Sequence, residues 1–155
     1  MLKGLRQHSI SKATRSNVQI KCFPGARLQD MKHYSIPLLS TTKAKNVILR
    51  WDQRFAQEKA ARYHENTREF CDQFQNTCPN YTITISSIIT RNDDENGLKV
   101  FEVNNLLRQL CEKNSYGFLT HDNIDKRCLN RSGLHLNKYG DSKLAKNIIE
   151  LIKGF

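Results

Sequence analysis

A chain of 155 residues with 38% hydrophobic and 26% charged side chains fits one domain, 1–155, with a single core, and excludes intrinsic disorder as the default. No apolar run approaches a membrane span and the first eight residues lack the apolar stretch of a secretion signal, so an intracellular address, cytoplasmic or nuclear, is expected and no membrane. A formal charge of +10 permits weak, non-specific attraction to nucleic acid, but the basic residues are scattered and carry no stacking or groove-reading motif.

Taken in chain order, residues 2–15 form a weak helical face, with Leu2, Leu5, His8 and Ile10 among lysines and arginines. Val18-Gln-Ile-Lys-Cys-Phe23 alternates with period two and stops at Pro24-Gly25, the pattern of a strand entering a tight turn. Residues 27–39 have near-helical spacing, with Pro37 expected to limit the helix to its early part. Asn46-Val-Ile-Leu-Arg-Trp51 is a second short apolar run, and residues 52–76 read as a polar helix. Tyr81-Thr-Ile-Thr-Ile-Ser-Ser-Ile-Ile-Thr90, β-branched almost throughout, is the strongest strand. Residues 92–97 read as a loop, 98–114 as an amphipathic helix, 116–121 as the last strand and 142–152 as the last helix. Strands alternating with helices predict an α/β fold with a mainly parallel sheet, in which ligands collect at the carboxyl ends of the strands.

The five cysteines, Cys22, Cys71, Cys78, Cys111 and Cys128, are odd in number and without a C-x-x-C pair. They read as reduced thiols in or near the core, and neither a metal nor a cofactor is expected. The polar, glycine-punctuated stretch Asn130-Arg-Ser-Gly-Leu-His135-Leu-Asn-Lys-Tyr-Gly140 lies between the last strand and the last helix. Several α/β hydrolytic folds keep their general base on such a loop, although a lone loop histidine is more often bonded to backbone.

Phe23-Pro-Gly-Ala26 after a strand-like run, Ile85-Ser-Ser-Ile-Ile-Thr-Arg-Asn-Asp-Asp94, Val103-Asn-Asn-Leu106, Gly117-Phe118 and Leu129-Asn-Arg-Ser-Gly-Leu-His-Leu-Asn137 together resemble the SGNH (GDSL-type) hydrolases. The likeness is to the esterase-like domains beside reverse transcriptases in invertebrate non-LTR retrotransposons. That resemblance implies a flavodoxin-like, three-layer α/β fold. It implies a nucleophilic serine after the first, central strand, inside a Gly-Asp-Ser block, a backbone oxyanion donor and an asparagine from two further blocks, and a late histidine base. Such a set transfers acyl groups: the base deprotonates the hydroxyl while the donors hold the developing oxyanion. By this resemblance His135 is the general base and Gly25 the oxyanion backbone N–H, and the ancestral substrate is a small acyl ester.

Three departures follow. Ser132 stands three residues before His135, where the family often has an aspartate, so the base would be oriented by another group, such as a backbone carbonyl. The segment that follows the serine block in the relatives reads like Met1-Leu-Lys-Gly-Leu5, so the resemblance implies an N-terminal truncation that leaves the first, nucleophile-bearing strand and its serine upstream. Gly140-Asp141-Ser142 spells the motif but opens the last helix, where Asp141 or Ser142 is expected as the N-cap. The third block, Gly-Thr-Asn-Asp-Leu in the family, is replaced by Trp51-Asp-Gln-Arg-Phe55. Codons for that pentapeptide read from their second base regenerate the family block, which implies that residues 51–67 are translated out of the ancestral frame. A divergent loop and helix that back-translates by chance is the alternative, and the DNA sequence decides.

A catalytically inactive remnant of an esterase is the function these features imply. A basic module for nucleic acid or a protein partner, and a translated pseudogene, are the alternatives. For the fold, residues 18–23 are expected to pair with 46–51 or to be poorly attached, while 81–90, 98–114, 116–121 and 142–152 form the sound half.

Overall fold

The structure is a computed structural model and describes residues 5–24, 26, 28–51, 60–91 and 98–155. Its elements are helices α1 (Gln7–Thr14) and α2 (Leu28–Ser40), strand β1 (Asn46–Arg50), α3 (Ala60–Thr77), β2 (Thr82–Ser86), α4 (Leu98–Asn114), β3 (Gly117–Leu119) and α5 (Lys138–Lys153), with a 3₁₀ turn at Lys126–Cys128.

The strands form one all-parallel sheet in the order β1-β2-β3, with Asn46 opposite Thr82, Arg50 opposite Ser86, and Ser86 opposite Leu119. Parallel neighbours need a crossover, and α3 and α4 supply the two crossovers. Packing both helices on one face buries Val47 and Leu49 of β1 with Ile83 and Ile85 of β2, against Tyr63, Phe70, Phe74, Val100, Val103 and Leu107. An aromatic series, Trp51 to Phe70 to Phe74 to Tyr81, crosses this layer with centroid separations of 5.6, 6.2 and 5.6 Å. Alternation turns Thr84 and Ser86 to the opposite face, where they are also buried. Helix α5 packs on that side against β3 and α1, burying Leu144 and Ile10.

The strand expected at residues 18–23 does not form. Its backbone groups are taken by α1 side chains: Val18 N donates to Ser11 Oγ at 3.1 Å and Ile20 N to Gln7 Oε1 at 3.1 Å. A period-two pattern without a ladder partner remains irregular, and this segment folds back on α1 instead of pairing with β1. Cys22, in the same segment, is exposed, unlike the four other cysteines, which are buried free thiols.

Pro37 does not end α2, which runs through it to Ser40. The ring costs a helix bond, roughly 3 kcal/mol, but Leu28, Met31, Ile36 and Leu39 share a face packed on the core, and that burial offsets it. Helix α4 has the bounds its periodicity predicts. Strand β2 is shorter than the apolar run around it. Beyond Ser86 the chain leaves the ladder as Asn104 of α4 clamps Ile88, accepting from its N–H at 2.8 Å and donating to its carbonyl at 2.9 Å. The loop predicted at 92–97 lies outside the described residues, as do residues 52–59 of the segment compared with the third block.

Helix α5 begins earlier than expected. Its N-cap is Asn137, whose side chain accepts from Gly140 N at 2.9 Å, not Asp141 or Ser142. The glycine of the Gly-Asp-Ser triplet is therefore inside the first turn. A Cβ at Gly140 would lie 2.2 Å from the Cys128 carbonyl oxygen, so only glycine lets the helix approach the preceding turn this closely.

Candidate functional site

The carboxyl edge of the sheet is where the chain gathers its polar groups. Strand β1 delivers Arg50, β2 delivers Ser86 with Ser87 just beyond it, and the residues after β3 deliver His121. Ser87 N donates to the Leu119 carbonyl at 2.8 Å, which holds the two strand exits together.

From this edge the chain enters the loop that carries His135, and two asparagines shape it. Asn130 Oδ1 accepts from the Ser132 hydroxyl at 2.9 Å and from the N–H groups of Leu134 and His135 at 3.2 and 3.3 Å, while Asn130 N donates to the His135 carbonyl at 2.7 Å. Asn137 caps α5 with its oxygen and donates its amide to the carbonyls of Arg127 and Leu129 at 2.8 and 2.9 Å. Gly133 takes a left-handed turn at φ 69° between them. Asp125 closes the 3₁₀ turn by accepting from Arg127 N, and the Arg127 guanidinium hydrogen-bonded to it holds its carboxyl down at about 2.

The His135 backbone is thus fixed, but its ring is exposed and makes no hydrogen bond with any described residue. Ser132, the residue three positions earlier, spends its hydroxyl on Asn130 and does not orient the ring, and no backbone carbonyl takes that role among the described residues. Gly25 lies outside the described residues. Among the described side chains no serine is hydrogen-bonded to the His135 ring.

A different histidine does meet a serine. His121 Nε2 lies 2.8 Å from Ser86 Oγ, and Nδ1 lies 3.0 Å from the Asn147 amide of α5. Asn147 and Asn123 exchange reciprocal amide hydrogen bonds of 2.9 Å each, and Lys143 Nζ donates to the Asn123 carbonyl. The chain Ser86, His121, Asn147, Asn123 therefore links β2, the exit of β3 and α5. Its sequence signal was a polar residue at the carboxyl end of each of two apolar strands and an asparagine within the α5 stripe; which of these would meet depended on the sheet register.

The spacing is that of a Ser-His-Asn triad, and burial decides against that use. Ser86 is 1% exposed and His121 6% exposed, which leaves an ester no path to the hydroxyl. As the Asn147 amide is oriented, its nitrogen donates to Nδ1, so the ring proton sits on Nε2 and is given to Ser86. A general base needs the reverse. Burial, with the Arg50 charge adding to it and Asp122 opposing, pushes the His121 pKa down to about 4, so the ring is neutral over the physiological range.

Thiol chemistry is similarly remote. Burial pushes Cys71 up to about 12 and Cys111 up to about 11, leaving both as core thiols. Among the described residues no three His, Cys, Asp or Glu side chains gather as a metal set, and no helix is long and apolar enough to cross a membrane.

No protein-family model matches this chain, and no curated protein matches it in sequence. Solved structures do. A carbohydrate esterase family 3 protein from Talaromyces cellulolyticus superposes with a TM-score of 0.67 at 16% identity, over 84% of this chain and 70% of that one. A family 3 carbohydrate esterase of Clostridium thermocellum gives 0.66 at 16% identity, over 84% and 68%. A peptidoglycan O-acetylesterase gives 0.66 at 18% identity, over 84% of this chain and 45% of that one. At these identities the likeness is one of fold: this chain shares with those structures a layered α/β architecture around a parallel sheet.

Proposed function

We propose that this chain is a degenerate SGNH-type acyl-ester hydrolase domain of retroelement origin that no longer hydrolyses esters. The observation that carries this reading is the surroundings of His135. The histidine matched to the family base has an exposed ring with no hydroxyl of a described side chain bonded to it. The Gly-Asp-Ser triplet is spent on the first turn of α5, with Gly140 packed against Cys128. The serine that does pair with a histidine is buried.

Loss of a nucleophile removes several orders of magnitude of rate, and loss of an oxyanion donor about 10²–10³ more, without simple additivity. The ancestral substrate in this reading is a small acyl ester, with Gly25 supplying the oxyanion N–H. The retroelement origin rests on the resemblance of the 129–137 stretch and on the frame relation at residues 51–67, and the underlying DNA tests it: codons at Asp52 to Phe55 that do not regenerate the block when shifted would remove that support. Purified protein incubated with p-nitrophenyl acetate and butyrate at neutral pH is expected to release p-nitrophenol no faster than buffer. Hydrolysis that disappears on His135→Ala would overturn the proposal.

A further inference from the structure

At the amino end of the sheet, opposite the edge that carries Ser86 and His121, the last turns of α3 and α4 and the entries to β2 and β3 enclose an open cleft of about 630 Å³. Asp72, Gln75 and Asn76 line it from α3, Asn114 and Ser115 from the end of α4, and Tyr116 from the approach to β3. No lysine, arginine or histidine is among the lining residues, on a chain whose formal charge is +10. Two helix carboxyl ends converge on the cleft, each carrying roughly half a negative charge.

The hydrogen-bond inventory sharpens this. Gln75 Nε2 gives one of its N–H groups to the Pro79 carbonyl at 3.1 Å and Asn114 Nδ2 one to the Leu110 carbonyl at 2.9 Å, so each amide keeps a single N–H beside an oxygen with two lone pairs. Asp72 gives one oxygen to Arg68 at 3.3 Å in a half-exposed pair and keeps the other. The Ser115 and Tyr116 hydroxyls serve either way, and only Asn76 keeps a whole amide. Acceptors and negative potential outweigh donors. An anion would find few partners here, and a polyol would leave half its own acceptors unmatched.

We propose that this cleft binds an N–H-rich organic cation, an alkylammonium or guanidinium group, with Asp72 as counter-charge and the side-chain oxygens of Gln75 and Asn114 as further acceptors. The group can belong to a free polyamine or to a lysine or arginine side chain. Both present the same donors to the same oxygens.

The test is a two-dimensional amide NMR titration of the full chain at low salt with n-butylammonium, N-ethylguanidinium, spermidine and Nα-acetyl-lysinamide, and with n-butanol as the neutral control. Saturable shifts are expected at residues 72–83 and 114–116, with a Kd on the order of 1 mM for the simple cations. A tighter fit for spermidine points to a free polyamine, and a tighter fit for the lysine amide to a protein side chain. Asp72→Asn is expected to weaken binding about tenfold, the worth of one charge-assisted contact. Asn76→Asp, at an exposed position of the rim, should tighten it several-fold, with circular dichroism checking that both variants fold. Shifts that do not saturate, shifts that n-butanol reproduces, or an affinity that Asp72→Asn leaves unchanged would overturn the proposal.

Discussion

His121 makes the stability of this fold depend on acid in a way that can be worked through. Its ring is buried at 6% exposure, held between Ser86 and Asn147, and its pKa is pushed from an ordinary 6.5 to about 4, first by burial and then by Arg50. A histidine with a depressed folded pKa contributes stability that is whole above the unfolded value. It is lost as pH falls from the unfolded value towards the folded one, because the unfolded chain takes up the proton first. At about 1.4 kcal/mol per pH unit, the gap corresponds to about 3 kcal/mol, a large part of a net stability of ~5–15 kcal/mol. Asp141, raised by burial, works in the opposite sense, gaining stability as it protonates, while Asp125 loses its contribution as pH falls from 3.8 to about 2, below the range in question. Urea denaturation at pH 7.5, 6.5, 5.5 and 4.5 should therefore show a fall of about 2.5 kcal/mol across that range, most of the full gap. In His121→Gln, which keeps an amide to meet Ser86 but does not titrate, the fall should largely vanish. A flat profile for the unmodified chain, or the same slope in the variant, would refute the assignment.

Asn137→Ala removes the α5 cap and both bonds to the preceding turn, and should cost about 2–4 kcal/mol, read as a lowered urea midpoint. Gly140→Ala drives a methyl group into the Cys128 carbonyl and should lower the thermal midpoint by more than ten degrees, at several kcal/mol of strain in a domain of this size. In the native protein a water-soluble disulfide reagent should label Cys22 at once, and Cys71 and Cys111 only after denaturant is added. Retention on single-stranded RNA should be weak and gone near physiological salt, since scattered charge gives only non-specific binding.

Where a local rule and the tertiary packing agreed, the sequence was a good guide. Helix α4 was legible to its end residues because Val100, Val103, Leu107, Leu110 and Cys111 repeat at helical spacing and all are buried. The parallel sheet followed from alternating strands and helices. Residues 18–23 misled because alternation says which face is apolar and nothing about whether a neighbouring strand is there to bond. Pro37 misled because the packing of Ile36 and Leu39 outweighs a local penalty. For the site, the loop around His135 was legible from its glycine and asparagines, but the fate of the ring was not. The histidine with the denser set of partners, His121, looked like the tail of a strand. Its importance comes from burial by α5, an element that lies far along the chain and that no local pattern connects to it.

The distance along the chain between Ser86 and its cover has a kinetic side. The second face of β2, with Thr84 and Ser86, is closed by His121 and by Asn147 of α5, both encoded well after the strand itself. On a ribosome adding ~5–20 residues per second, the interval between the emergence of Ser86 and of Asn147 is several seconds. For that time a strand buried on both faces in the finished fold has its Thr84 and Ser86 face bare. Vectorial synthesis thus leaves the nascent chain, unlike the finished fold, with one face of its central strand uncovered and its polar groups in water.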